Sequence, residues 1–138
     1  MRVKKFLPVL LAFLLGISLG VLLILPGFQK RTDVFLQDFS VSEDGSVITV
    51  QTFTIGSMGY IRAMEAKQVH NELHCSFYRT FGGLNSSLGA KSRFEIRLED
   101  SAKSAESIYF DRGKNFDQLV LERDAETDVW TPVSPLPQ

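Results

Sequence analysis

The chain has 138 residues, of which 15 are basic, 16 are acidic and one is a cysteine. A single cysteine excludes an intrachain disulfide framework and any zinc or iron–sulfur site built from several cysteines. Five of the basic residues lie at or before position 31 and none of the acidic residues does, so residues 32–138 carry 10 basic against 16 acidic side chains. This acidic remainder disfavours nucleic acid as a partner, because phosphates bind to basic surfaces.

The first 28 residues have the composition of a membrane segment. Residues 1–5 form a short basic head, and residues 6–28 contain no charged side chain. At about 1.5 Å per residue this stretch can cross a hydrocarbon core of about 30 Å. We therefore expect a single-pass signal anchor in the cell membrane, with the N-terminus cytoplasmic and the C-terminal domain outside. The alternative is a cleaved signal peptide, which would release a secreted binding protein.

Small residues recur every four positions within this segment. Ala12, Gly16 and Gly20 would share one face of a helix. Small side chains at this spacing allow two helices to approach closely. The pattern predicts a homodimer through the transmembrane helix, or an accessory subunit that contacts a membrane complex through the same face.

After a linker at 29–33, short runs with alternating apolar and polar residues are typical of strands. The consecutive residues Asp44 and Gly45 are typical of a hairpin turn, and residues 111–115 are a second turn signal. The fold class is predicted to be all-β, a small antiparallel β-sandwich of immunoglobulin-like architecture that occupies residues 34–130. A Pro-rich, disordered tail follows at 131–138. The expected strands number about seven and lie at 34–41, 47–55, 59–69, 73–81, 94–98, 107–110 and 116–123.

Residues 60–70 are ambiguous. Ala63, Met64, Glu65 and Ala66 are good helix formers, and a helix here would make the fold α+β. However, a short gap joins the segment directly to the strong strand that begins at Leu73, which favours a hairpin arm. We therefore predict a strand.

Both histidines of the chain lie in the sequence His70-Asn-Glu-Leu-His74. On a regular strand His70, Glu72 and His74 would share one face and could bind zinc, which makes a metal-binding protein an alternative function. The hairpin interpretation places residues 70–72 in a turn and breaks this alternation. We therefore predict no metal site. Cys75 is expected to be a buried small hydrophobe, because it alternates with Leu73 and Phe77.

The longest predicted loop, residues 82–92, is rich in small polar residues. Its glycine and lysine spacing does not fit a phosphate-binding loop, and an alternating strand follows it instead of a helix. Binding surfaces are often located on loops. Asn85, Ser86, Ser87 and Lys91 are therefore candidate recognition residues.

The sequence contains no catalytic triad, helical carboxylate pair or dinucleotide-binding motif, so we predict neither an enzyme nor a cofactor. We expect a membrane-anchored, non-catalytic binding or interaction module. Its partner would be a protein, a component of the cell envelope or a small ligand, and no catalytic residues are assigned.

Overall fold

The computed structural model describes residues 3–24, 29–56, 60–79, 89–98, 104–114 and 116–134. These residues form one α-helix followed by strands, so the all-β fold class is confirmed. The helix is α1 (Val3–Ile24). The strands are β1 (Gln29–Arg31), β2 (Val34–Val41), β3 (Val47–Thr54), β4 (Ala63–Val69), β5 (Glu72–Arg79), β6 (Arg93–Arg97), β7 (Ser107–Asp111), β8 (Asp117–Arg123) and β9 (Trp130–Pro132).

The helix α1 corrects the expected location of the protein. It begins inside the segment predicted to be a basic head. Within the described residues, no helix has both the length and the apolar character needed to span a bilayer. The prediction of a single-pass protein in the cell membrane is therefore wrong.

The strands form two sheets. In sheet A, β4 pairs with one edge of β5, and both β1 and β7 pair with the opposite edge, followed by β8 and β9. Sheet B has the order β2-β3-β6. The pairs are antiparallel except for β5 with β7, which is parallel. This parallel pair departs from the purely antiparallel arrangement expected from the sequence.

The buried apolar side chains form one cluster with members from both sheets. Leu73, Cys75 and Phe77 alternate along β5 and are all buried, which follows from the two-residue period of a strand. The ring of Phe77 lies 4.8 Å from that of Phe110 in sheet A and 5.6 Å from that of Phe94 in sheet B, measured between centroids. Phe77 therefore contacts aromatic side chains of both sheets.

Within the ambiguous segment 60–70, residues 63–69 form a strand and not a helix, as predicted. β4 pairs with β5 along its whole length, from the pair of Ala63 and Tyr78 to that of Val69 and Glu72. His70 occupies the connecting turn with a φ of 57°. Hairpin pairing therefore outweighs the helix propensity of this segment, because its backbone hydrogen bonds are made to a long neighbouring strand.

The turn predicted at Asp44-Gly45 forms, and so does the turn predicted at 111–115 over its described residues 111–114. Gly45 has a φ of 70° between β2 and β3, and the carboxylate of Asp44 accepts hydrogen bonds from the hydroxyl groups of Ser42 and Ser46. Gly113, with a φ of 76°, turns the chain between β7 and β8. Positive φ values are accessible to glycine because it has no Cβ atom.

Two strands form where the sequence indicated irregular chain. β1 lies inside the segment expected to be a linker, and β9 includes the start of the segment expected to be a disordered tail. β1 has three residues and pairs with β5, which lies far from it along the chain. β9 also has three residues and pairs with β8, the strand that precedes it. Three residues are too few to show a hydrophobic period.

Candidate functional site

The pairing of β1, β4 and β5 brings three arginines to one end of sheet A. Arg31 on β1 lies opposite Phe77, and Gln29 lies opposite Arg79. Arg62 is one position before β4, next to the pair of Ala63 and Tyr78, and its backbone N–H donates to the carbonyl of Tyr78. By this register Arg62 lies opposite Arg79. We call Arg31, Arg62 and Arg79 the arginine cluster.

Two members of the arginine cluster are buried. Arg31 is 5% exposed and Arg62 is 1% exposed. A guanidinium keeps its charge at any physiological pH, and removing it from water is costly unless hydrogen bonds and opposite charge compensate. This end of the sheet therefore concentrates positive charge inside a domain whose overall charge is negative.

Asp33 is a carboxylate that interacts with two members of this cluster, Arg31 and Arg79. Its two oxygens accept hydrogen bonds from Nε and NH2 of Arg31, at 2.7 and 2.5 Å, in the bidentate geometry that guanidinium and carboxylate favour. This hydrogen bonding and the charges of Arg31 and Arg79 lower the pKa of Asp33. The Asp33 side chain remains 47% exposed. The cluster is therefore open to solvent where Asp33 lies.

Arg112 lies close by but has a different role. Its guanidinium donates to Oε1 of Gln118 at 2.6 and 2.8 Å and to the backbone carbonyls of Thr32 and Val34. It also stacks on the ring of Phe35, with 4.4 Å between its Cζ atom and the ring centroid. These contacts join the β7–β8 turn to the start of β2. Arg112 is therefore engaged in holding the two sheets together.

A groove of about 270 Å³ has Ile61, the residue before Arg62, in its wall. It is adjacent to the cluster along the chain, because Ile61 in its wall precedes Arg62, and the backbone N–H of Lys91 donates to the carbonyl of Ile61 at 2.8 Å. We call it the Tyr60 groove, after its exposed aromatic side chain. It is lined by Thr52, Phe53, Thr54, Tyr60, Ile61, Ala90, Lys91 and Ser92.

A second charged region lies on the face of sheet A opposite the buried side chains of β5. The imidazole of His74 contacts two carboxylates, with its Nδ1 atom against Asp117 and its Nε2 atom 3.1 Å from Glu72. The ring of Tyr109 stacks on the imidazole at 5.0 Å between centroids and 7° between planes. We call these four residues the His74 network.

The geometry of the His74 network favours a protonated imidazole. A carboxylate only accepts hydrogen bonds, so both ring nitrogens of His74 must donate. Partial burial lowers the pKa of His74, but the hydrogen bonds and charges of Asp117 and Glu72 outweigh that effect and raise it overall. The network is thus an ion-pair arrangement that stabilises charged histidine.

The structure separates the three residues considered as metal ligands. Glu72 and His74 share a face of β5 and contact each other, but His70 lies in the hairpin turn. Within the described parts of the chain, no group of three or more His, Cys, Asp or Glu residues could hold a metal ion. His74 uses both ring nitrogens on carboxylates, which leaves no lone pair to coordinate a metal.

Cys75 has the environment predicted for it. It is 0% exposed, and burial raises the pKa of its thiol to about 12. The reactive form of cysteine is the thiolate, so this side chain is a poor nucleophile in the folded protein. Cys75 and His74 belong to opposite faces of β5.

The remaining sequence candidates are only partly placed. Lys91 is exposed and lines the Tyr60 groove, whereas Asn85, Ser86 and Ser87 lie outside the described residues. On α1, Ala12 is exposed, and a Cβ atom added at Gly16 or Gly20 would meet no atom within 4 Å. The small-residue face is thus open to solvent, and its pairing with another helix stays a prediction.

Sequence reasoning missed the arginine cluster and the partnership of His74 with Asp117. The three arginines are separated by 17 residues or more along the chain, and His74 and Asp117 are 43 residues apart. Neither set forms a local motif, so only the strand pairing could have indicated them.

No protein-family model, curated protein or solved structure matches this chain.

Proposed function

We propose that the two described sheets form a small β-sandwich that acts as a non-catalytic binding module, with the Tyr60 groove as its binding surface. The single buried cluster with members from both sheets supports face-to-face packing of the sheets. The ring contacts of Phe77 with Phe94 and Phe110 support it further.

The composition of the Tyr60 groove carries the proposal. Tyr60 and Phe53 offer aromatic surface, Thr54 and Ser92 offer hydroxyl groups, and Lys91 offers a positive charge. Binding sites commonly combine apolar walls with a few polar groups that fix orientation. A volume of about 270 Å³ suits one side chain or a small head group of a ligand, since whole drug-sized ligands occupy pockets of roughly 300–1,000 Å³.

The state of the nucleophile and base candidates supports a non-catalytic role. Cys75 is buried with a raised pKa, and both nitrogens of His74 are occupied by carboxylates. A general base needs a free lone pair within reach of a proton, and neither side chain offers one at the Tyr60 groove.

The test is a screen of uncharged aromatic fragments against the full-length, ¹⁵N-labelled chain by nuclear magnetic resonance. We expect the fragments to shift the amide signals of Thr54, Ile61 and Lys91 together. Tyr60→Ala should abolish these shifts. Tyr78→Ala is the matched control, because Tyr78 lies on β5 and bonds to Glu65 away from the groove. Shifts that cluster around His74 instead would contradict the proposal.

A further inference from the structure

We propose that β4 is the surface through which two copies of this chain associate, edge to edge and antiparallel, about a two-fold axis at Ala66. This pairing joins sheet A of one copy to sheet A of the other. The inference concerns a second copy of the chain and does not depend on the ligand of the Tyr60 groove.

β4 forms one edge of sheet A. It pairs with β5, and no other strand in the described part of the chain pairs with its opposite side. Glu65, Ala66 and Lys67 in its middle are exposed. An edge strand directs backbone N–H and C=O groups away from its own sheet, and a further strand can pair with them. β4 is therefore a template for the addition of a strand.

The backbone of Ala66 is directed toward this open edge. The N–H of Arg62 donates to the carbonyl of Tyr78 at 2.9 Å, so the backbone groups of Tyr78 point toward β4. Opposite residues of an antiparallel pair alternate between those that exchange hydrogen bonds and those that do not. Tyr78 lies opposite Ala63, so every second residue from Ala63 to Val69 bonds to β5. Ala66 falls between these positions and therefore directs its N–H and C=O away from β5.

The sequence of β4 is complementary to itself in this arrangement. Two-fold pairing about Ala66 sets Glu65 opposite Lys67 of the second copy, and Lys67 opposite Glu65 of the second copy. The Ala66 residues of the two copies exchange backbone hydrogen bonds. The flanking pairs are then of the type without backbone hydrogen bonds, in which the side chains are closest. Opposite charges directly across two strands stabilise a sheet, so the dimer gains two ion pairs.

The charges also select this register. If the axis passed through Glu65 or Lys67, like charges would lie directly opposite each other, which destabilises a sheet. A parallel pairing in register would have the same defect. Charged residues often protect an edge strand from association. On β4 the order Glu-Ala-Lys opposes these other arrangements and favours the antiparallel one about Ala66.

The two ends of β4 limit the interface to this strand. After Val69 the chain turns at His70, which has a φ of 57°. Before Ala63, the carbonyl of Ile61 already accepts a hydrogen bond from the N–H of Lys91 at 2.8 Å. Seven residues from each copy form a small interface, and small interfaces associate weakly. We therefore expect a dissociation constant (Kd) of about 10 μM to 1 mM.

Sedimentation equilibrium of the full-length chain measures this association. A density-matched, non-ionic detergent covers the exposed apolar side chains of α1. Glu65→Lys should raise the Kd about tenfold, because the two-fold axis converts one substitution into two like-charge pairs. Lys67→Glu should raise it by a similar factor. Glu95→Lys, on the edge strand of sheet B, is the matched control and should change the Kd less than about twofold.

An equimolar mixture of Glu65→Lys and Lys67→Glu separates pairing between copies from damage within one copy. In the mixed dimer each positive β4 lies opposite a negative one, so the Kd should return to within about threefold of the wild-type value. Ala66→Pro is a second test, since it removes the N–H at the axis and leaves the bonds to β5 in place. Proline is tolerated on an edge strand where the N–H faces solvent, so this variant should fold and remain monomeric.

A wild-type chain that stays monomeric up to about 1 mM would overturn the inference. So would charge reversals that leave the Kd unchanged, or a mixture that associates no more tightly than its components. If Gly16→Leu weakens the dimer and the β4 variants do not, association uses α1 and the assignment to β4 is wrong. Circular dichroism of each variant confirms that it is folded before it is compared.

Discussion

The His74 network and the arginine cluster both use side chains of β5, yet they place their charged groups at different depths. In the network, two carboxylates surround one imidazolium, and the side chain of His74 is 25% exposed. In the cluster, the carboxylate of Asp33 pairs with Arg31, and both Arg31 and Arg62 are buried. The first arrangement balances its charges at a partly exposed surface, whereas the second places guanidinium groups where water is scarce.

This difference follows from the period of the strand. Glu72 and His74 lie on one face of β5, and Leu73 and Phe77 lie on the other. Arg79 lies on the same face as Leu73 and Phe77, at the end of β5 and beyond its buried apolar residues. A partly exposed ion-pair network is expected to affect stability less than the loss of a partner from a buried guanidinium. Three substitutions test this contrast.

The largest loss of stability is expected at Phe77, whose ring contacts aromatic side chains of both sheets. Phe77→Ala should destabilise the fold by about 3–5 kcal/mol, because it removes a buried ring and leaves a cavity between aromatic neighbours. Urea unfolding followed by circular dichroism would measure the change. Phe116→Ala is the control, since that ring is exposed and its removal should cost less than about 0.5 kcal/mol. Equal losses would show that Phe77 does not lie at the centre of the core.

The next effect is expected at Asp33 and separates the two regions. In chloride buffer, Asp33→Asn should cost about 1–2 kcal/mol, a value reduced by the partial exposure of Asp33, because Arg31 loses its bidentate partner. Glu95→Gln, at an exposed position on β6, should change stability by less than about 0.5 kcal/mol. Thermal unfolding of both variants measures the difference. An unchanged melting temperature in Asp33→Asn would mean that Arg31 does not depend on this carboxylate.

The smallest effect is expected at His74 and depends on pH. The folded-state pKa of His74 is raised, so its contribution to stability is fully present below the unfolded value of about 6.5 and is lost as pH rises through the folded value. The free energy of unfolding of the wild-type chain should exceed that of His74→Gln by roughly 1 kcal/mol at about pH 6. This difference should be smaller at about pH 9. Urea unfolding at both pH values tests it, and a margin that grows with pH would refute the assignment.

Much of the fold could be predicted where the sequence alternates. Phe94 and Ile96 alternate with charged residues and form β6, and the apolar positions of β5 mark its buried face. Segment 63–69 shows the limit of propensity, because its helix-forming residues adopt a strand once a long neighbour is available. β1, with the sequence Gln-Lys-Arg, has no apolar pattern at all and exists through its pairing with β5.

The candidate site was less predictable than the fold. Lys91 was identified because it lies in a long polar loop, and it does line the Tyr60 groove. Arg31, Arg62 and Arg79 belong to three different segments, and strand register alone brings them together. The expected membrane anchor was inferred from apolar length over residues 6–28, whereas in the described part of the chain no helix is long and apolar enough to cross a bilayer.

Cys75 provides an internal reporter of unfolding. It is the single cysteine of the chain, it is fully buried in the middle of β5, and its thiol has a pKa of about 12. A thiol-labelling reagent can therefore modify the chain only after the sheets open, since reaction needs both access and a thiolate. The rate of labelling would record how often the core opens, without any engineered probe and without disturbing the face of β5 that carries His74.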